Sequence, residues 1–272
     1  MNRSELYQSI VDKATFLCVG LDTDLSKIPA HLLNADDPVF EFNKQIIDAT
    51  LDHCVAYKPN SAFYEALGGK GWESLRKTIE YIPGSHLVIA DAKRGDIGNT
   101  TLKYAEAFFT DLGADAITVN PYMGRDSVDP FLNFEDKWVV LLALTSNPSS
   151  SDLELLELKN GRKVYEQLLI DSQTWGTVDN TMYVVGATQA SNLTGIRTLV
   201  PDHFLLVPGV GAQGGSLEEV ARFGMNSQCG LLVNASRAVI YAGKGVDFAD
   251  KAKASAKSYH DQMRKLIDQF LR

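Results

Sequence analysis

Eight short apolar runs, each followed by polar or helix-period sequence, constrain this chain more than any other feature. They are "FLCVGLD" (16–22), "CVAYKPN" (54–60), "HLVIADAK" (86–93), "AITVNPY" (116–122), "WVVLLALTS" (138–146), "MYVVGAT" (182–188), "FLLVPGV" (204–210) and "GLLVNAS" (230–236). Unbroken Val, Ile and Leu, without alternation, is the pattern of a strand buried on both faces of a parallel sheet. Helix-period segments lie between the runs. In "DDPVFEFNKQIIDATLDH", Asp37 is placed to cap a helix with Pro38 at its first position, and Val39, Phe42, Ile46 and Ile47 share one face. "TLKYAEAFFTDLG" stops at Gly113, a residue suited to a left-handed helix end. "RKVYEQLLIDSQTW", "GSLEEVARFGM" and the terminal "FADKAKASAKSYHDQMRKLIDQFLR" continue the pattern. Eight β/α units in 272 residues predict a (β/α)8 barrel, a single domain over residues 1–272. An open doubly wound sheet is the alternative. The barrel is favoured because polar residues recur at the C-terminal end of nearly every run, and a barrel gathers those ends at one mouth.

A hydrophobic content of 45% with 22% charged residues is that of a folded globule. The net charge of -8 argues against a nucleic-acid binder, which needs a basic stripe. It leaves room for a small anion held by local Lys and Arg. The run "WVVLLAL" (138–144) is too short to cross a bilayer, and "MNRSELYQSIVDK" reads as an amphipathic helix, not a signal peptide. Cys18, Cys54 and Cys229 sit in apolar contexts without a C-x-x-C pair, which fits buried thiols in a reducing compartment. The expectation is a soluble cytoplasmic protein with no membrane partner.

The stretch "DAKRGDIGNT" (91–100) follows directly on "HLVIA". Asp91 and Lys93 are two apart, so a strand puts them on one face. At the C-terminal end of a barrel strand that face is where chemistry is done. Asp96, at the start of the loop, can fold back over the mouth or reach a neighbouring subunit. Lys58 ends the second run and Asp22 the first, which gives a ring of mixed charge at one rim. Any one of these residues alone also reads as a solvated strand end or a structural ion pair. Together they read as an electrostatic device, since buried charges are costly unless paired and paired charges stay ionised. Near the end of the chain, "VPGVGAQGGS" (207–216) is a Gly-rich loop after the seventh run, and "NASRAV" (234–239) places Arg237 at a helix start after the eighth. Strands seven and eight are where barrels hold phosphate, through backbone N–H groups, a helix N-terminus and an Arg fork. His31, His53, His86, His203 and His260 are scattered without metal-ligand spacing, and no G-x-S-x-G elbow is present. The "DTD" at 22–24 is acidic enough for a cation, but the nearby lysines would compete with one.

On these residues the chain resembles the orotidine 5′-monophosphate decarboxylase family in its longer bacterial form. "DAKRGDIGNT" matches the family's D-x-K-x-x-D-I-x-x-T signature, "YKPNSAFYEALG" its strand-two lysine segment, and "ALTSNPSS" its strand-five segment. "VPGVGAQGG" and "NASRAV" match its phosphate segments. The matches run in order from Asp22 to Arg237. One departure is Ser216, where the family pattern has Asp after the Gly-Gly pair. The resemblance implies decarboxylation of orotidine 5′-monophosphate to uridine 5′-monophosphate without cofactor or metal, by a homodimer with shared sites. It implies Lys93 as proton donor to C6, Asp91 beside the substrate carboxylate, and Lys58 with Asp96 completing the charged array. Asp96 and Thr100 would come from the partner subunit. Asp22 with Lys58 would bind the ribose hydroxyls, and Ser146 the pyrimidine. Gln213 and Arg237 would hold the phosphate, with backbone N–H groups near Gly214 and Ser236.

Two rivals accompany that reading. One is a metal-dependent sugar-phosphate decarboxylase or aldolase of the same superfamily. That branch is expected to carry a Glu metal ligand where this chain has Lys58. The other is a non-catalytic nucleotide-binding module, which would have no need of Lys93 beside two carboxylates.

Overall fold

Every one of the eight apolar runs forms a parallel strand: β1 Leu17–Leu21, β2 Ala56–Pro59, β3 Leu87–Arg94, β4 Ala116–Val119, β5 Trp138–Leu144, β6 Thr181–Val185, β7 Phe204–Pro208 and β8 Leu231–Ala235. Neighbours in sequence are neighbours in the sheet, and β1 pairs with β8 to close it. The open-sheet alternative is thereby excluded. The structure, a computed structural model, describes residues 1–210 and 215–271. Most strands stop short of the apolar runs at their C-terminal ends. Asp22, Ser146 and Ser236 lie past the strand ends there, and Asn60, past the end of β2, keeps a single bridge to Asp91.

The helices follow from local signals. Asp37 accepts a hydrogen bond from Phe40 N at 3.0 Å and starts the helix Pro38–Thr50, which buries Val39, Phe42, Ile46 and Ile47. The helix Gly98–Ala105 runs on into a π turn, Glu106–Asp111, and ends at Gly113 with φ +73°. The connection from β4 to β5 departs from the regular pattern. It holds two 3-10 turns and a one-turn helix, Asp129–Leu132. The terminal helix Phe248–Phe270 packs along Pro38–Thr50, stacking Phe248 on Phe42 at 5.1 Å between ring centroids. All three cysteines are free and buried. Among the described residues no helix is long and apolar enough to cross a membrane.

The N-terminal ends of the strands form the opposite face, where conservation of stability rather than chemistry is expected of a barrel. His203 sits there, immediately before β7. It is buried, its ring lies against Tyr183, and neither ring nitrogen has a partner in the protein. Burial lowers its pKa to about 4; Arg3 and Arg197 push the same way and Asp202 opposes them. The unfolded chain takes up this proton near pH 6.5 and the folded protein only near 4. The unfolded state therefore binds more protons across that window, and stability falls as pH drops from about 6.5 to 4. His53, His86 and His260 are shifted in the same direction. Substituting His203→Leu should accordingly flatten, without abolishing, the pH dependence of urea unfolding in this range. An unchanged slope would show that His203 is not held neutral.

Candidate active site

The C-terminal end of β3 carries the central arrangement. Asp91 is buried, and Lys58 Nζ from β2 donates to its Oδ2 at 2.5 Å. Lys93 Nζ donates to Oδ1, also at 2.5 Å. Burial by itself would raise the Asp91 pKa, but the two ammonium groups outweigh it and hold the carboxyl well below the usual range. Burial would likewise lower Lys58, and Asp91 and Asp22 overcome it, so that Lys58 lies above its ordinary value. Asp91 and Lys58 are thus both held in their charged forms. The lysines are not equivalent, however. The Lys58 side chain is 5% exposed and that of Lys93 51%.

Simple alternation along a strand accounts for only part of this. The β3–β4 register shifts between Ala90 and Arg94, and Lys93 lies inside the shift with φ +46°. A β-branched or long side chain in that left-handed region is strained, by about 1–3 kcal/mol. The bulge re-aims the Lys93 side chain over the mouth. Thr118 of β4 supports the distortion: Lys93 N donates to its Oγ1 at 2.9 Å, and that hydroxyl donates to Asp91 Oδ1 at 3.1 Å.

Asp22, Lys58, Asp91, Asn234, Ser236 and Arg237 line one cavity of about 160 Å³. Asp22 Oδ1 and Asn234 Oδ1 are buried without a partner in the protein, so both are acceptors open to a ligand donor. Asp22 is fixed through its backbone. Tyr241 donates to its carbonyl at 2.9 Å, and Tyr64 donates to the preceding Leu21 carbonyl at 3.1 Å. Asn234 Nδ2 donates to Ser236 Oγ at 3.2 Å. Arg237 opens the short helix Arg237–Ile240 and is exposed. Two glycines allow the rim to close. A Cβ on Gly20 would fall 1.9 Å from Ser236 Oγ and 2.8 Å from Ser236 Cβ. A Cβ on Gly186 would meet the Ser146 backbone nitrogen at 2.7 Å, so Ser146 crosses the end of β6 against a bare glycine.

The remaining expected residues are placed differently. Asp96 is half-buried, and its carboxylate accepts from Ile97 N at 2.8 Å; it makes no ion pair with the Lys58–Asp91–Lys93 core. Thr100 is exposed on the helix Gly98–Ala105. One chain therefore gathers Asp22, Lys58, Asp91 and Lys93, and Asp96 and Thr100 are not joined to that group. Gln213 and Gly214 lie outside the described residues. Ser216 accepts from Glu219 N at 3.2 Å and caps the helix Leu217–Gly224, a task that either Ser or Asp performs. Thr118, Asn234, Tyr64 and Tyr241 were not singled out from the sequence. Among the described residues no group of three or more His, Cys, Asp or Glu side chains is placed to hold a metal ion.

Comparison with known proteins places the chain in a family. The model of the orotidine 5′-phosphate decarboxylase / HUMPS family matches residues 15–252. The orotidine 5′-phosphate decarboxylase of Phocaeicola vulgatus is 57% identical over 272 residues, covering 99% of this chain and 100% of its own length. That of Flavobacterium johnsoniae is 58% identical over 271 residues, covering 98% and 99%. Among solved structures, the Leishmania donovani OMP decarboxylase superposes with a TM-score of 0.84 at 35% identity, covering 98% of each chain. A putative orotidine-monophosphate decarboxylase from Toxoplasma gondii gives 0.89 at 33% identity, covering 98% and 97%. The chain belongs to the orotidine 5′-phosphate decarboxylase / HUMPS family.

The Gly20–Ser236 contact is testable by stability alone. Gly20→Ala should cost about 1–3 kcal/mol by overpacking. Ser236→Gly in the same chain should recover most of that loss in urea unfolding. Strictly additive effects would show that the clash lies elsewhere.

Proposed function

We infer that this chain, a member of that family with full-length relatives named orotidine 5′-phosphate decarboxylase, converts orotidine 5′-monophosphate to uridine 5′-monophosphate and CO2 in pyrimidine biosynthesis. The whole chain acts as one barrel domain, in the cytoplasm. The observation that carries the reading is the buried Asp91 carboxylate held between two lysine ammonium groups, one enclosed and one open to the mouth. Loss of CO2 from C6 leaves an electron pair with no delocalising sink on the substrate. A cation already fixed at that carbon stabilises the pair and can then transfer a proton to it. Lys93 is in position for this role. Lys58, Lys93 and Asp91 sum to one positive charge, which suits a substrate carboxylate and the carbanion that replaces it.

The other roles are those that the family resemblance implies. Asp91 lies beside the substrate carboxylate. Asp22, with its unpartnered Oδ1, takes the ribose hydroxyls together with Lys58. Ser146 meets the pyrimidine. Ser236 and Arg237 hold the phosphate with Gln213 and the Gly214 amide. Phosphate binding, remote from C6, supplies energy for ordering the charged core. No cofactor or metal takes part in this scheme. The metal-dependent branch is disfavoured by Lys58, a cation where that branch needs a carboxylate ligand.

Lys93→Ala should abolish turnover, followed by the loss of orotidylate absorbance, while the protein stays folded. Turnover near the wild-type rate would sink the assignment.

Asp96 and Thr100 enter through assembly. Asp96 makes no ion pair with the core of its own chain and Thr100 is exposed, which supports a two-fold homodimer in which each chain completes its partner's site. Lys93→Ala and Asp96→Ala variants, each inactive, would then complement each other. In a mixed dimer one site carries both defects and the other carries none. After subunit exchange a statistical mixture should regain up to about a quarter of wild-type sites. If mass analysis confirms exchange and no activity returns, Asp96 serves its own chain.

A further inference from the structure

We propose that Thr118 is a positioning residue for the decarboxylation, setting the Lys93 ammonium and the Asp91 carboxylate in one geometry. The proposal rests on the reading of Lys93 as proton donor. Thr118 is buried on β4, 1% exposed, with its hydroxyl facing the end of β3. That single oxygen is shared by both members of the pair. It accepts from the Lys93 backbone N–H and donates to Asp91 Oδ1, the same oxygen that receives Lys93 Nζ.

The geometry shows what this connection accomplishes. Lys93 sits at a bulge with φ +46°, a conformation that a lysine does not hold unaided. The Thr118 oxygen ties the strained amide to the neighbouring strand. Its proton fixes the rotation of the carboxylate, so that Oδ1 faces Lys93 and Oδ2 faces Lys58. As a β-branched residue in a packed strand, Thr118 has few side-chain rotamers, and it transmits the rigidity of the barrel wall to both groups. Without the hydroxyl the backbone can relax out of the bulge, and the half-exposed Lys93 side chain loses its aim. The Thr118 hydroxyl bonds Lys93 N and Asp91 Oδ1, so among the groups assigned to ribose and phosphate it is linked only to Lys58, and only through Asp91.

Three variants test this: Thr118→Val, which keeps the shape and removes the hydroxyl; Thr118→Ser, which keeps the hydroxyl; and Lys93→Ala as the reference. Thr118→Val should lower kcat roughly ten- to hundred-fold, the loss expected for hydrogen bonds to charged groups. KM for orotidine 5′-monophosphate and the affinity for uridine 5′-monophosphate should stay within about three-fold. Thr118→Ser should restore most of kcat. Unchanged kcat in Thr118→Val, a fall in kcat matched by weaker product binding, or equal loss in the Ser and Val variants would overturn the proposal. An active Lys93→Ala would instead overturn the proton-donor reading on which it rests. Should Thr118→Val not fold, Thr118→Ala against Thr118→Ser decides by the same split.

Discussion

The rim of this barrel depends on one buried carboxylate. Asp91 lies inside the protein wall, where an isolated charge would be intolerable, and it stays ionised because two ammonium groups from adjacent positions contact its two oxygens. That requirement reaches far into the fold. Lys58 must arrive from β2, so the β1–β2–β3 ladder has to be in register. Lys93 must turn back across its own strand, so β3 must bulge, and Thr118 of β4 must receive the displaced amide. A pair so deeply enclosed adds little net stability, because desolvation offsets much of the attraction. On the proposed mechanism its value lies in geometry: a positive site held beside a negative one before the reaction begins.

How much of this was legible beforehand differs from residue to residue. The strands were legible because apolar runs without alternation have few other readings, and Asp37–Pro38 announced a helix start by chemistry that is local. Asp91 and Lys93 were legible because charges directly after a buried strand demand a reason. Thr118 was not. In "AITVNPY" it is one β-branched residue among others, and only the β3–β4 register reveals that its hydroxyl meets Asp91. The bulge was equally hidden, since lysine is not a residue that signals a positive φ. Gly20 gave no hint either, because its role is the space left for Ser236 from the far end of the chain. Long-range contacts of this kind follow from barrel closure and have no signature within either segment.

The unequal exposure of the two lysines divides the work between them. Lys58 is enclosed, and its proton is held more firmly than that of an ordinary lysine by Asp91 and Asp22. Such a group is suited to fixing charge and poorly suited to giving up a proton in each cycle. Lys93 shares the same carboxylate but keeps half of its side-chain surface open at the mouth. On the proposed mechanism it loses a proton to C6 at every turnover and must regain one from solvent. An ammonium sealed as Lys58 is would have no path to do so. On that mechanism the bulge at Lys93 has a chemical reason beyond aiming the side chain: it goes with a lysine that contacts the buried anion and is still half open to solvent.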